Sequence, residues 1–206
     1  MTTTTLYLIR HAEVEARYQG VFGGTIDMDI SPRGREQATA LARYLKGKTF
    51  DAIYASPMKR VQQTLAPYLN NGAPKPVIFP KLHEVDFGDW TGLNFAEVQE
   101  RYGAPASTWL DQIAAGTIPN AENAVTYRNR IEPCVREILQ SHPGRRVAVF
   151  CHGGVIRQIL AILLDLPLTK TASFEIDYTS ITEIEVQPNR AEVQLLNFTP
   201  WRDLNS

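Results

Sequence analysis

Runs of apolar residues bounded by turn residues set the frame of this chain. Leu6 to Ile9 is an unbroken apolar run of four, read as a short buried strand. Phe50 to Ala55, Val77 to Phe79 and Arg146 to Cys151 have the same look. Between them the period changes to that of helices. Ser31-Pro32 opens one, with Ser as the cap and Pro in the first turn, and Ala38, Leu41, Ala42 and Leu45 recur at helical spacing before Gly47. Ser56-Pro57 repeats that start signal for a second helix, with Met58, Val61 and Leu65 on one face and Pro67 as its breaker. Glu122 to Gln140 reads as a longer helix with a kink at Pro133, and Val155 to Leu164 as an apolar one. Ser180 to Val186 and Ala191 to Leu196 alternate apolar with polar positions, and Gln187-Pro188-Asn189-Arg190 joins them as a hairpin. The tail from Thr199 shows no pattern.

Strands alternating with helices predict an α/β fold: a mostly parallel central sheet flanked by helices on both faces, ending in a C-terminal β-hairpin. Residues 82 to 120 differ. They hold Phe87, Trp90, Phe95, Tyr102 and Trp109 among glycines and prolines, with a short helix from Asn94 to Tyr102 that opens on a capping box of Asn94 and Glu97. This segment, about 85–120, is expected to be a small aromatic-rich cap at the sheet edge. Phe87, Trp90 and Trp109 are expected to serve as core more than as ligand wall. The 206 residues suit a single α/β domain spanning 1–206.

Composition narrows the partners. The net charge of −1 offers no global basic field, so nucleic acid is not expected as a partner. No stretch is long enough for a membrane; Val155 to Leu164 is interrupted by Arg157 and Gln158. Cys134 and Cys151 lie in apolar contexts without paired spacing, which suggests free thiols in a reducing compartment. With no leader pattern in residues 1 to 9, a cytoplasmic location is expected. A homodimer contact through the exposed sheet face or the Val193–Trp201 region is left open.

The chemistry gathers at strand ends. Arg10-His11 follows the first strand, Ser56 and Arg60 follow the second, Leu82-His83-Glu84 precedes the cap, and His152-Gly153-Gly154 follows Arg146–Cys151. In an open parallel sheet these ends share one rim, where ligands bind. Two guanidiniums suit a phosphate dianion through paired hydrogen bonds. One neutral imidazole can attack phosphorus and a second can stabilise the transferring oxygens. Glu84 can protonate a leaving alkoxide and later deprotonate water. Such a set calls for no metal and no cofactor. A different phosphatase chemistry is also written in the chain, because Cys151 to Arg157 satisfies Cys-x5-Arg between a strand and a helix. That loop leaves Arg10-His11 and Leu82-His83-Glu84 without a role.

Leu8-Ile9-Arg10-His11-Ala12-Glu13, Ala55-Ser56-Pro57-Met58-Lys59-Arg60, Leu82-His83-Glu84 and Cys151-His152-Gly153-Gly154 together resemble, in order, the histidine phosphatase superfamily, the phosphoglycerate-mutase-like group. The resemblance implies His11 as the phosphorylated nucleophile, Arg10, Arg60 and His152 as holders of the phosphoryl group, and Glu84 as acid and base. It also places Gly24 in a phosphate-side loop and Gly153 beside the substrate. The family usually has Gly where Ala12 stands and Asn where Arg17 stands; the longer Arg17 is expected to touch the phosphate or another substrate anion. The family's Gly-Gly-Glu-Ser stretch reads Asn120-Ala121-Glu122-Asn123 here.

Mutases of the group carry a basic clamp for a carboxylate, including a Lys where this chain has Phe95. Between Arg101 and Arg128 this chain has no Lys or Arg. That favours a phosphatase with a more apolar leaving-group pocket. Phe87-Gly88-Asp89-Trp90, the short cap and the hairpin look most like the α-ribazole-5′-phosphate phosphatases, with the small broad-acting phosphatases close behind. The expected partner is a small phosphorylated metabolite. A cofactor-dependent mutase and a non-catalytic phosphate-ligand binding module are the alternatives.

Overall fold

The computed structural model describes residues 2–70 and 72–204. Its centre is a six-stranded sheet built from β1 (Thr4–Arg10), β2 (Ala52–Ala55), β3 (Val77–Ile78), β4 (Arg146–Cys151), β5 (Ile181–Gln187) and β6 (Arg190–Phe198), in the order β3-β2-β4-β1-β5-β6. The first four strands run parallel, and β5 and β6 run antiparallel at one side.

Both faces of the sheet are buried at its central strands β1, β2 and β4, which is why these read as continuous apolar runs. Side chains alternate across the pleat. Tyr7 and Ile9 of β1, Ile53 of β2 and Phe150 of β4 therefore share one core. They meet Leu41 and Leu45 of α1 (Pro32–Leu45) and Val61 and Leu65 of α2 (Lys59–Leu69). Leu6 and Leu8, Tyr54, Val147 and Val149 face the other way. The cap follows β3 along the chain, with α3 (Phe95–Tyr102) and α4 (Trp109–Ala115) as its helices. Tyr127 and Ile131 of α5 (Ala124–Ser141) and Val155 and Ile159 of α6 (Gly153–Leu163) cover the second face. The parallel sheet, the helices on both faces and the closing hairpin agree with the sequence pattern.

Differences from the pattern lie at the element ends. Ser31 caps α1 through its hydroxyl, which accepts from the Gly34 amide at 2.8 Å. Ser56 does not do the same for α2, which begins at Lys59 after an uncapped Met58. That helix also continues past Pro67 to Leu69. Asn123 caps α5 in a reciprocal pair with Thr126, so the helix starts two residues after Glu122. Tail residues Pro200–Asp203 form a helical turn, α7, held by long-range pairing of Arg202 with Asp177, which no local pattern announces. Residues 205 and 206 of that tail lie outside the described residues, as does Met1. No helix among the described residues is long and apolar enough to cross a membrane.

The capping box of Asn94 and Glu97 forms as the sequence suggests. The cap's rings have divided roles. Trp90 is 2% exposed and belongs to the core. Phe22 gathers Phe87, Trp90 and Phe95 around it, at ring distances of 4.8, 5.2 and 5.3 Å. Phe87, Phe95 and Trp109 also line the cavity described next, so they are ligand wall as well as cap core.

Candidate active site

Register brings the two histidines together. In the β1–β4 pair Arg10 lies opposite Cys151, so His11 and His152 leave neighbouring strand ends side by side. Their rings are 5.3 Å apart. Ser56 follows the end of β2 on the other side of β4, where its amide donates to Phe150 O at 2.9 Å. A cavity of about 230 Å³ opens at this rim, small for a ligand site. Arg10, His11, Gly24, Arg60, Glu84, Gly153 and Gly154 all line it.

His11 is 6% exposed. Its Nδ1 lies 2.8 Å from Ala12 O. A carbonyl only accepts, so Nδ1 carries the hydrogen and Nε2 keeps the lone pair. Burial, with the Arg60 and Arg10 charges adding to it, holds the ring well below the usual histidine range. The imidazole is therefore neutral at neutral pH and nucleophilic at Nε2. The neighbouring backbone is fixed, because the Ala12 amide donates to Thr64 Oγ1 at 2.8 Å and that hydroxyl donates to Arg60 O at 2.7 Å.

The two guanidiniums are held by carbonyls rather than carboxylates, so their charge is not cancelled. Arg10 Nη1 donates to Ile176 O at 2.6 Å and the group stacks 4.2 Å from the Tyr178 ring centre. Arg10 Nε is buried and has no partner among the described residues. An orphaned buried donor of this kind marks a place for an acceptor. Arg60 is 2% exposed and donates from Nη1 to Ile26 O at 2.7 Å and from Nη2 to Gly24 O at 3.2 Å. Gly24 sits at φ +45, and a Cβ there would meet Thr91 Oγ1 at 2.9 Å, so the loop that holds Arg60 requires glycine.

His152 is fully buried. Arg60 Nε donates to its Nδ1 at 3.2 Å, and its Nε2 lies 2.8 Å from Ser56 Oγ. Burial first, then Arg60, His11, Arg10 and His83, lower its affinity for a proton. Glu84 accepts from the Val85 amide at 3.0 Å and from the Gly154 amide at 3.2 Å. The strand-end segment that carries it is braced by Arg130, which donates to Lys81 O at 2.6 Å and His83 O at 2.9 Å while gripping Glu122 at 2.7 Å.

Two expected ligand residues are not among those that line the cavity, the fully buried His152 and Arg17. Arg17 is exposed and pairs with Glu15 at 3.0 Å, two residues back, so the loop charge is satisfied locally instead of reaching the cavity. Three residues without an assigned role are brought in: Ser56, Tyr178 and Arg157. Tyr178 packs 5.6 Å from the His11 ring, from a loop with no motif around it. Arg157 lines the cavity from α6, one turn beyond His152. It corrects the picture of a leaving-group side without cations, because the missing charge between Arg101 and Arg128 is supplied from another element. The remaining wall is apolar, with Val14, Phe22, Met28 and Ile176 among its residues.

Cys151 is buried, and burial together with Glu84 pushes its thiol well above the ordinary range. It is not among the residues that line the cavity. That is the opposite of what a cysteine nucleophile requires. No group of three His, Cys, Asp or Glu among the described residues clusters as a metal site.

Comparison with known proteins shows the family to which the chain belongs. The model of the histidine phosphatase superfamily (branch 1) matches residues 6–199. Phosphoserine phosphatase 1 of Hydrogenobacter thermophilus is 30% identical over 194 residues, covering 94% of this chain and 92% of that protein. The adenosylcobalamin/alpha-ribazole phosphatase of Escherichia coli K12 is 27% identical over 192 residues, 93% of this chain and 95% of the other. The crystal structure of the alpha-ribazole phosphatase from Shigella flexneri is 26% identical and superposes with a TM-score of 0.82, covering 95% of this chain and 96% of that one.

Proposed function

The chain belongs to the histidine phosphatase superfamily (branch 1), and on that footing we propose that it is a phosphomonoester hydrolase working through a phosphohistidine at His11. The observation that carries this reading is the His11 ring: its Nδ1 hydrogen is committed to Ala12 O, which leaves the lone pair on Nε2, and the residue lines a cavity together with two guanidiniums. A phosphate ester docks with its oxygens on Arg10, Arg60 and His152, with Gly24 and Gly153 as close backbone neighbours. The Nε2 lone pair forms the bond to phosphorus as the bond to the leaving oxygen breaks, and a protonated Glu84 gives that oxygen its proton. In the second step Glu84 takes a proton from water, the water oxygen bonds to phosphorus, and the N–P electron pair returns to Nε2. Arg10 and Arg60 supply the positive charge throughout, so the reading calls for no metal.

The substrate is a small ester, and the wall of Phe22, Phe87, Phe95 and Trp109 suits a leaving group with a flat apolar face. α-Ribazole-5′-phosphate has that form, and two of the relatives named above are called alpha-ribazole phosphatases. A second reading, a phosphorylated amino acid or sugar acid such as phosphoserine, is favoured by Arg157, whose guanidinium could meet a carboxylate.

Phosphate release in the presence of EDTA tests both readings, with α-ribazole-5′-phosphate, phosphoserine, p-nitrophenyl phosphate and 3-phosphoglycerate as substrates. Wild type is expected to hydrolyse one of the first two best, and His11→Ala to lose at least about a thousandfold, the scale of losing a nucleophile. Turnover that survives His11→Ala would overturn the phosphohistidine route. Isomerisation of 3-phosphoglycerate dependent on a bisphosphate cofactor would make the protein a mutase. Tight phosphate binding without turnover would make it a binding module.

A further inference from the structure

The hydrogen bonds around His152 determine its tautomer. Arg60 Nε–H points at Nδ1 at 3.2 Å, and a guanidinium can only donate. Nδ1 is therefore a lone pair. The neutral ring must then carry its single hydrogen on Nε2, and that hydrogen is donated to Ser56 Oγ at 2.8 Å. In the free site, His152 thus has no N–H to offer a phosphoryl oxygen. A donor there requires one more proton on Nδ1.

We propose that Ser56 is a positioning residue that holds His152 as the Nε2–H tautomer, so that the site binds its phosphate group together with one proton, taken up at His152 Nδ1. This rests on the phosphatase reading above. In the bound state Nε2–H stays on Ser56 Oγ, Nδ1–H turns to a phosphoryl oxygen, and Arg60 Nε–H, released from Nδ1, turns to the same phosphate. The proton balance is simple. From a dianion at pH 8 the extra proton comes from the buffer; from a monoanion below pH 6 it comes from the ester's own P–O–H.

The surroundings explain why the proton arrives only with the anion. Arg60 of α2, Arg10 and His11 at the end of β1, and His83 ahead of the cap all oppose a cation at His152. Glu84, on the Gly154 amide, is the carboxylate at this rim. A phosphate dianion reverses the local balance. Ser56 is well placed to be constant across the two states, because it sits fully buried between strand ends and its oxygen also accepts the Met58 amide at 3.3 Å. The Ser-Pro pair thus serves the site as well as carrying the local signature of a helix start.

The test uses the full chain labelled with ¹⁵N-histidine, with inorganic phosphate as the ligand at pH 8. Long-range ¹H–¹⁵N spectra are expected to show His152 as the Nε2–H tautomer when free and as imidazolium when saturated with phosphate. Calorimetry in buffers of different ionisation enthalpy should give uptake of about one proton per phosphate. Ser56→Ala should lose the single tautomer and about tenfold in kcat/KM, the cost of a buried donor left without an acceptor, and Ser56→Thr should restore one tautomer. A free His152 protonated at Nδ1, or phosphate binding with the proton on His11 or with no uptake, would overturn the inference while leaving His11-dependent hydrolysis intact. A single Nε2–H tautomer with unchanged kcat/KM in Ser56→Ala would remove the role of Ser56. No phosphate binding and no His11-dependent hydrolysis would remove the phosphatase reading, and this inference with it.

Discussion

Gly154→Ala separates the chemistry of this site from its stability. A Cβ at residue 154 would lie 2.5 Å from Glu84 Oε1 and 3.2 Å from the Tyr127 hydroxyl. Ordinary contact begins at 3.4 Å, so the Glu84 oxygen must withdraw by about 0.9 Å. It cannot do so freely, because its carboxylate is held between the Val85 and Gly154 amides. A misplacement of about 1 Å in a reacting group costs on the order of a hundredfold. Folding feels two opposed effects: in the first turn of α6 alanine is favoured over glycine by up to about 1 kcal/mol, and the crowding of Glu84 and Tyr127 offsets that gain. The expected variant therefore melts within a few degrees of wild type yet loses about a hundredfold in kcat/KM on an alkyl phosphate, whose leaving oxygen needs a proton. On p-nitrophenyl phosphate, whose leaving group departs without one, the loss in kcat/KM should be under about tenfold. Steady-state kinetics on the two esters beside a thermal melt makes the comparison. Equal losses on both esters would refute the assignment of Glu84 as the acid, and a collapsed melt would refute the separation itself.

Other perturbations follow from the same geometry. His11 and His152 both bind protons more weakly in the folded chain than the usual 6.5, so below about pH 6.5 the unfolded chain takes up protons that the folded one refuses. Stability should be full above that pH and fall as pH drops, by up to about 1.4 kcal/mol per pH unit for each ring, and urea midpoints at pH 7.5 and 5.5 check it. Arg130→Ala leaves Glu122 without its buried partner and frees the carbonyls of Lys81 and His83; we expect a loss of about 3–5 kcal/mol in urea unfolding and a lower kcat in whatever stays folded. Cys151→Ser should keep turnover within about threefold, and iodoacetamide should leave wild type active, since the buried thiol is held protonated.

Much of this site can be read from the sequence because its parts stand at strand ends. Leu6–Ile9 and Val147–Phe150 can be little other than buried parallel strands, and whatever follows such strands meets at one rim. What failed to show locally was settled by contacts distant in sequence. Ser56 carries the local signature of a helix cap, yet its hydroxyl belongs to His152, ninety-six residues away, because β2 and β4 are neighbours. Arg17 has the charge expected of a ligand, but Glu15 is nearer than the cavity. Arg157 and Tyr178 arrive from α6 and from the loop ahead of β5, and no spacing along the chain connects either to Arg10-His11.

The arrangement also shows why so ordinary a fold carries so uneven a charge distribution. A chain with a net charge of −1 places Arg10 and Arg60 at one rim, each held by backbone carbonyls that orient it without neutralising it. Between them lie two imidazoles kept neutral by burial and by those same guanidiniums. Without a bound anion these groups work against folding: the cations repel, both rings are denied protons below about pH 6.5, and Arg10 Nε has no acceptor among the described residues. The sheet tolerates this because β1, β2 and β4 are packed on both faces and fixed by register. On the proposed reading a phosphate dianion resolves these conflicts at once, giving the cations a counter-charge, Nε an acceptor and His152 a reason to hold a second proton. Destabilisation of the ligand-free site and affinity for phosphate would then have a single source. Changes that ease the repulsion in the free protein, such as replacing Arg60 by a neutral side chain, must weaken binding by removing what the ligand relieves.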